Sequence, residues 1–114
     1  MKKYKVSEIV KDLNLKVLSG SEGLNREVSG GYVCDLLSDV MGNSKEGQIW
    51  ITLQTHKNVM AIASLRDLAA ILLINGLNPD EDTAAQSETE GIPILGTDMP
   101  AFEIAGKLYE LINK

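Results

Sequence analysis

The chain has 114 residues, net charge −5, 44% hydrophobic and 24% charged residues, and few aromatics at 4%. That length fits one domain, spanning residues 1–114, with a real core but little room for a separate catalytic lobe. The acidic balance, with no basic stripe to displace counterions, excludes nucleic acid as the expected partner.

The single cysteine, Cys34, has no intramolecular partner, which fits a reducing, cytoplasmic setting. The basic start, Met-Lys-Lys-Tyr-Lys, leads into a charged amphipathic segment rather than an apolar signal core. The longest apolar run, residues 68–74, is far too short to cross a bilayer, so no membrane association is expected.

In chain order, Val6, Ile9, Val10 and Leu13 recur at helical spacing, with Ser7 as a candidate cap. A short apolar stretch follows over 15–18, then a turn over 21–25. Residues 28–34 are the next strand candidate. Its paired Gly30 and Gly31 suggest a bulge or a close backbone approach, and the bulge is the preferred reading. Asp35 is placed to cap a short helix carrying Leu36, Leu37, Val40 and Met41, which Gly42 would stop.

Residues 48–54 alternate as a strand does, with Ile49, Ile51 and Leu53 on one face and Trp50 and Thr52 on the other. The loop Thr55-His56-Lys57 precedes a helix over about 58–67. Residues 69–74 are all apolar and are bounded by Asn75-Gly76, as expected of a central strand buried on both faces. Asn78-Pro79 marks an acidic helix running to Glu90, with only Ala84 and Ala85 suited to packing. Gly91 ends it. A strand over 92–95 follows, and Thr97-Asp98 would cap a last helix with Ala101, Ile104, Ala105, Leu108, Leu111 and Ile112 on one face.

From residue 28 onward strands and helices alternate. Such alternation implies an α/β fold: three layers, with a mostly parallel sheet of about five strands flanked by helices.

Several stretches carry a family likeness. Residues 13–20, Leu-Asn-Leu-Lys-Val-Leu-Ser-Gly, and 22–28, Glu-Gly-Leu-Asn-Arg-Glu-Val, form one opening. Gly-Gln-Ile-Trp-Ile-Thr (47–52), Ile-Leu-Leu-Ile-Asn-Gly-Leu-Asn-Pro (71–79) and Glu-Gly-Ile-Pro-Ile-Leu-Gly-Thr-Asp (90–98) form the body. The opening resembles that of the HPr kinase/phosphorylase N-domain, and the body resembles a DRTGG domain. The resemblance implies the α/β fold shared by the N-domains of HPr kinase and Mur ligases. It also implies a regulatory or accessory role, since such modules are joined to CBS pairs or phosphotransacetylase or stand alone. Where DRTGG domains commonly carry a Gly-Asp-Arg type turn, this chain has Leu53-Gln54-Thr55-His56-Lys57. The sequence contains no Gly-x-x-x-x-Gly-Lys-Ser/Thr, so it offers no P-loop for ATP phosphates, and kinase activity is not expected.

No catalytic residue, metal site or cofactor is assigned. Cys34 and His56 each follow an expected strand, and a Cys–His pair could make a thiolate nucleophile. A small packing cysteine and a loop histidine is the preferred reading of that pair. The acidic residues Asp80, Glu81, Asp82, Glu88 and Glu90 read as a solvated face.

Helix N-termini discriminate better, because each carries partial positive charge and unpaired N–H groups. Three of the four helices after strands begin with carboxylates: Asp35, Asp80 with Glu81, and Asp98. The fourth begins at Asn58, preceded by Thr55, His56 and Lys57. Gln54, Thr55, His56, Lys57 and Asn58 are therefore the candidate anion-accepting segment. Asn75, Gly76, Gly96 and Thr97 are expected at the same carboxyl edge, where α/β sheets hold ligands. An ordinary solvated loop is the alternative.

The functional expectation is a non-catalytic regulatory or ligand-sensing module for a small anionic or nucleotide-like molecule, working as a homodimer. The alternatives are an accessory interaction subunit of a cytosolic enzyme and, behind it, a small Cys/His enzyme. The homodimer follows partly from the family and partly from Leu36, Leu37, Met41, Trp50, Met60 and Met99, large apolar groups that a chain of this size is expected to leave partly exposed.

Overall fold

The computed structural model describes residues 3–114. A two-residue strand β1 (Tyr4–Lys5) leads into α1 (Val6–Asp12), then β2 (Lys16–Ser19) and a 3₁₀ turn at Ser21–Gly23. Next come β3 (Glu27–Val28), β4 (Gly30–Val33), α2 (Leu37–Asn43), β5 (Gln48–Thr52), α3 (Asn58–Leu65) and β6 (Ala70–Leu73). The chain ends with α4 (Glu81–Glu90), β7 (Ile94–Gly96) and α5 (Ala101–Ile112). β1 and β3 form a small antiparallel pair. The main sheet has the order β2-β7-β6-β5-β4, parallel throughout except for β2, which runs antiparallel to β7. The expected α/β architecture, with a mostly parallel five-stranded sheet between helices, is what the chain adopts.

β4, β5, β6 and β7 lie side by side in chain order, so every crossover moves in one direction. Right-handed connections then place α2, α3 and α4 on one face of the sheet. That face buries Trp50, Ile71, Leu73 and Ile94 against Val40 of α2 and Val59, Met60, Ile62 and Ala63 of α3. The other face buries Ile49, Ile51, Leu72 and Leu95 against Val6 and Ile9 of α1 and Ile104, Leu108 and Leu111 of α5. Alternation thus splits β5 between two cores, and β6 is buried on both sides. Each fully buried Leu or Ile contributes about 1.5–3 kcal/mol.

Several local expectations are corrected. The N-cap of α1 is Lys5, whose backbone N–H donates to Glu8 Oε1 at 3.0 Å; Ser7 lies inside the helix. Gly30 and Gly31 pair in regular register with Gln48 and Ile49, so they make no bulge. A Cβ on residue 31 would lie 3.1 Å from Leu108 Cδ2, so glycine there answers the close approach of α5. The expected strand over 28–34 instead breaks at Ser29, between β3 and β4. Gly42 lies within α2, which ends one residue later.

Pro79 is not the first residue of α4. The Asp80 N–H bonds back to Thr55 O at 3.1 Å, and the helix starts at Glu81. The buried residues of α4 are Thr83 and Ser87, not Ala84 and Ala85. Of the apolar groups expected at the surface, Trp50 and Met60 are fully buried, Leu37, Met41 and Met99 are half-buried, and only Leu36 is exposed.

Candidate functional site

Because β4 to β7 are parallel, the segments after Val33, Thr52, Leu73 and Gly96 all emerge at the carboxyl edge of the sheet. The nine expected site residues therefore share that edge, but they form two hydrogen-bonded clusters.

The first joins the ends of β4, β5 and α4. Asp35 was expected to cap α2; the N-cap position is Leu36, with no side-chain cap. The Asp35 carboxylate instead accepts from Thr52 Oγ1 and from the Leu53 N–H, both at 2.8 Å. Gln54 Nε2 donates to Asp35 O at 2.8 Å, and the Gln54 N–H donates to Thr52 Oγ1 at 3.2 Å. Thr55 O accepts from the Asp80 N–H and, at 2.8 Å, from Thr83 Oγ1, which anchors the loop to α4.

His56 and Asp80 pair through Nδ1 and Oδ2 at 2.9 Å. The carboxylate assigned to the end of α4 thus serves the loop before α3. The first turn of α3 is also partly closed: the Val59 and Met60 amides donate to His56 O and Lys57 O at 3.1 and 2.9 Å. Lys57 and Asn58 are exposed at the mouth of a groove of about 530 Å³, bounded by Met41 of α2 and by Gln86 and Glu90 of α4. The start of α3 is accordingly less open than its sequence implies.

The second cluster joins the ends of β6 and β7. Asn75 and Gly76 take left-handed backbone, φ 57° and 72°. Their amides donate to Met99 O at 3.1 Å and Thr97 O at 2.9 Å. The Thr97 N–H bonds Leu73 O, and its buried hydroxyl accepts from the Met99 N–H at 3.2 Å. Gly96 sits where a Cβ would come within 2.9 Å of Leu18 Cδ1. These backbone donors are occupied within the fold. Asp98 does not cap α5, whose N-cap is Pro100; its carboxylate lies 4.0 Å from Lys16 Nζ. Lys16 reaches this edge because β2 runs antiparallel, which the strand pattern alone did not show.

Cys34 and His56 are engaged separately. The Cys34 sulfur accepts from the Leu36 N–H at 3.4 Å, while His56 holds Asp80, and no hydrogen bond joins them among the described residues. Nor is any group of three or more His, Cys, Asp or Glu side chains placed there to hold a metal ion. No helix among those residues is long and apolar enough to cross a membrane.

Sequence reasoning missed Asp35, Asp80 and Lys16 as members of this edge. Asp35 reads as a helix cap, and Asp80 as a helix start and part of a solvated acidic face. Their position directly after a strand or before a helix is compatible with both roles, and the partner decides.

Comparison with known proteins adds the family. No curated protein matches the chain. Among solved structures, the CBS and DRTGG domains of the regulatory region of Clostridium perfringens pyrophosphatase, complexed with the activator diadenosine tetraphosphate, superpose with a TM-score of 0.69 at 15% identity. The match covers 91% of this chain and 45% of that one, so the chain spans less than half of its structural neighbour. At that identity the likeness is one of fold. The DRTGG domain model matches residues 8–111, and the chain belongs to the DRTGG domain family.

Proposed function

We propose that this chain is a non-catalytic regulatory module whose carboxyl edge, around Gln54, Thr55, His56, Lys57 and Asn58, takes a small anionic or nucleotide-like ligand. The observation that carries the reading is the neighbour of like fold, a pyrophosphatase regulatory region complexed with diadenosine tetraphosphate. Geometry lends support. His56 and Lys57 are exposed at the one helix start of this edge whose first turn has no acidic residue. Asn75, Gly76, Gly96 and Thr97 form the neighbouring wall, and the amides of Asn75, Gly76 and Thr97 serve the fold. The proposal includes a single domain over residues 1–114, a homodimer and a cytoplasmic setting.

Calorimetric titration with diadenosine tetraphosphate and with ATP tests the site. Binding should weaken at least about tenfold in Lys57→Glu, a change at an exposed position that leaves the melting temperature unchanged. Unchanged affinity in that variant places the ligand elsewhere. Absence of binding by either nucleotide removes the nucleotide reading. A second reading, an accessory interaction subunit, is favoured by one feature: Phe102 is 94% and Tyr109 71% exposed on α5.

A further inference from the structure

Helix α5 carries two apolar stripes. Ile104, Leu108 and Leu111 face the sheet and are buried. The second stripe, Phe102, Gly106 and Tyr109, follows the i, i+4, i+7 spacing of one helix face and lies in the open. With Val33 of β4, 53% exposed, it lines a groove of about 380 Å³ along the sheet margin. Lys107 and Glu110 of the same helix line a different groove, with Asp12 and Asn14.

β4 is itself an edge strand, with β5 on one side and, among the described residues, no strand on the other. An edge strand presents unpaired backbone N–H and C=O groups, and folded proteins ordinarily cover or blunt such edges. Here the edge is flanked by bare aromatic rings instead.

We infer that the β4 edge and the outer stripe of α5 form a two-fold interface with a second copy of this chain. The inference rests on the homodimer in the function proposed above and gives it a surface different from the one the sequence suggested. Three observations favour a second copy over another occupant. First, each copy carries net charge −5, so acidic surfaces oppose the close approach of two copies, whereas the groove along this stripe has no charged residue in its lining; Lys3, Glu27 and Glu46 line the adjoining one. Second, Phe102 and Tyr109 are seven residues apart, about 10.5 Å along the helix. A two-fold axis near Gly106 therefore sets Phe102 against the partner subunit's Tyr109 and repeats the contact in reverse, as an isologous interface requires. A Cβ at Gly106 would meet nothing within 4 Å, which leaves space for that approach.

Third, β4 ends the five-stranded sheet, and a two-fold pairing that also met at this edge would set the two β4 strands antiparallel and join the sheets into one of ten strands. The exposed parts of Phe102, Tyr109 and Val33 supply on the order of 400 Å² of apolar surface per copy. A stable interface removes roughly 800 Å² per partner, and the strand edge with Ala105, Gly106 and Ile112 lies in position to add to that area.

Light scattering and sedimentation equilibrium on the full chain test this. The wild-type chain should be a dimer at high micromolar concentration. Phe102→Glu should raise the dimer dissociation constant at least about tenfold without changing the thermal melt, since Phe102 is exposed in the single copy. In a Cys34→Ser background, Phe102→Cys with Tyr109→Cys should form a disulfide-linked dimer on oxidation. A monomeric wild-type chain overturns both the interface and the homodimer. A dimer that survives Phe102→Glu and fails to cross-link overturns the interface alone. Neither result bears on nucleotide binding at the start of α3, which the Lys57→Glu titration reads separately.

Discussion

Asp39, half-buried on α2, accepts from two side chains. Tyr32 Oη donates to its Oδ2 at 2.5 Å, and Asn43 Nδ2 donates to its Oδ1 at 2.9 Å. The hydrogen bond from Tyr32, with that from Asn43 beside it, holds the Asp39 carboxyl below the ordinary aspartate range. The same bond, with burial second, pushes the Tyr32 phenol up to about 12. The signs follow from linkage. The depressed carboxyl contributes stability above its unfolded pKa and loses it as pH falls through the lowered value. The raised phenol contributes below its ordinary ~10 and loses that contribution as pH rises toward about 12. The chain has three tyrosines. Following phenolate absorbance upward in pH should show one of them ionising late. In Asp39→Asn that late step should move back toward the ordinary range; a profile unchanged by the substitution would show that Asp39 does not hold the phenol.

At the scale of elements, α4 shows what a sequence does and does not disclose. Its N-terminal acids and the Gly91 stop, φ 65°, are readable because capping and left-handed backbone are local. Its packing is not. The expected apolar contact through two alanines is replaced by a polar seam. Ser87 Oγ donates to Ile92 O at 2.6 Å and accepts from Ser19 Oγ at 2.9 Å, both buried, and the Gly20 N–H donates to Glu88 Oε1 at 2.6 Å. Gly20 has φ 72°, and a Cβ there would sit 2.5 Å from Ile92 O, so only glycine fits where the chain leaving β2 passes the end of α4.

The seam pairs residues 68 positions apart, and no periodicity encodes that. The carboxyl-edge site has the same character. The strand ends that carry it were legible from alternation, whereas the pairing of His56 with Asp80 and of Asp98 with Lys16 depends on strand order. Ser87→Ala should leave the Ser19 hydroxyl without its acceptor and Ile92 O without its donor. Each orphaned buried group costs about 1–3 kcal/mol, so urea midpoints should fall with little change in slope. A midpoint equal to that of the wild-type chain would mean that water replaces the serine freely.

For the molecule as a whole, the sheet is shared by two cores that do not touch except through it. α2, α3 and α4 close one face, and α1 and α5 close the other. Neither layer can leave without exposing a side of β5 and β6, whose residues are buried on both faces. Loss of α5 would uncover Ile49, Ile51 and Leu72; loss of α3 would uncover Trp50, Ile71 and Leu73. The two layers should therefore unfold together, which is the physical content of proposing one domain. Trp50, the single tryptophan, reports one face, being fully buried with its Nε1 donating to Cys34 O at 2.7 Å. Far-ultraviolet circular dichroism reports helices on both faces. Urea unfolding followed by the two signals should give coincident curves, with a slope of about 1–1.5 kcal/mol/M for a chain of this size. Coincidence should persist in Phe102→Glu at low protein concentration, because Phe102 belongs to neither core. A fluorescence transition that precedes or trails the loss of helix would mean that the faces are separable, and the single-domain proposal would fall.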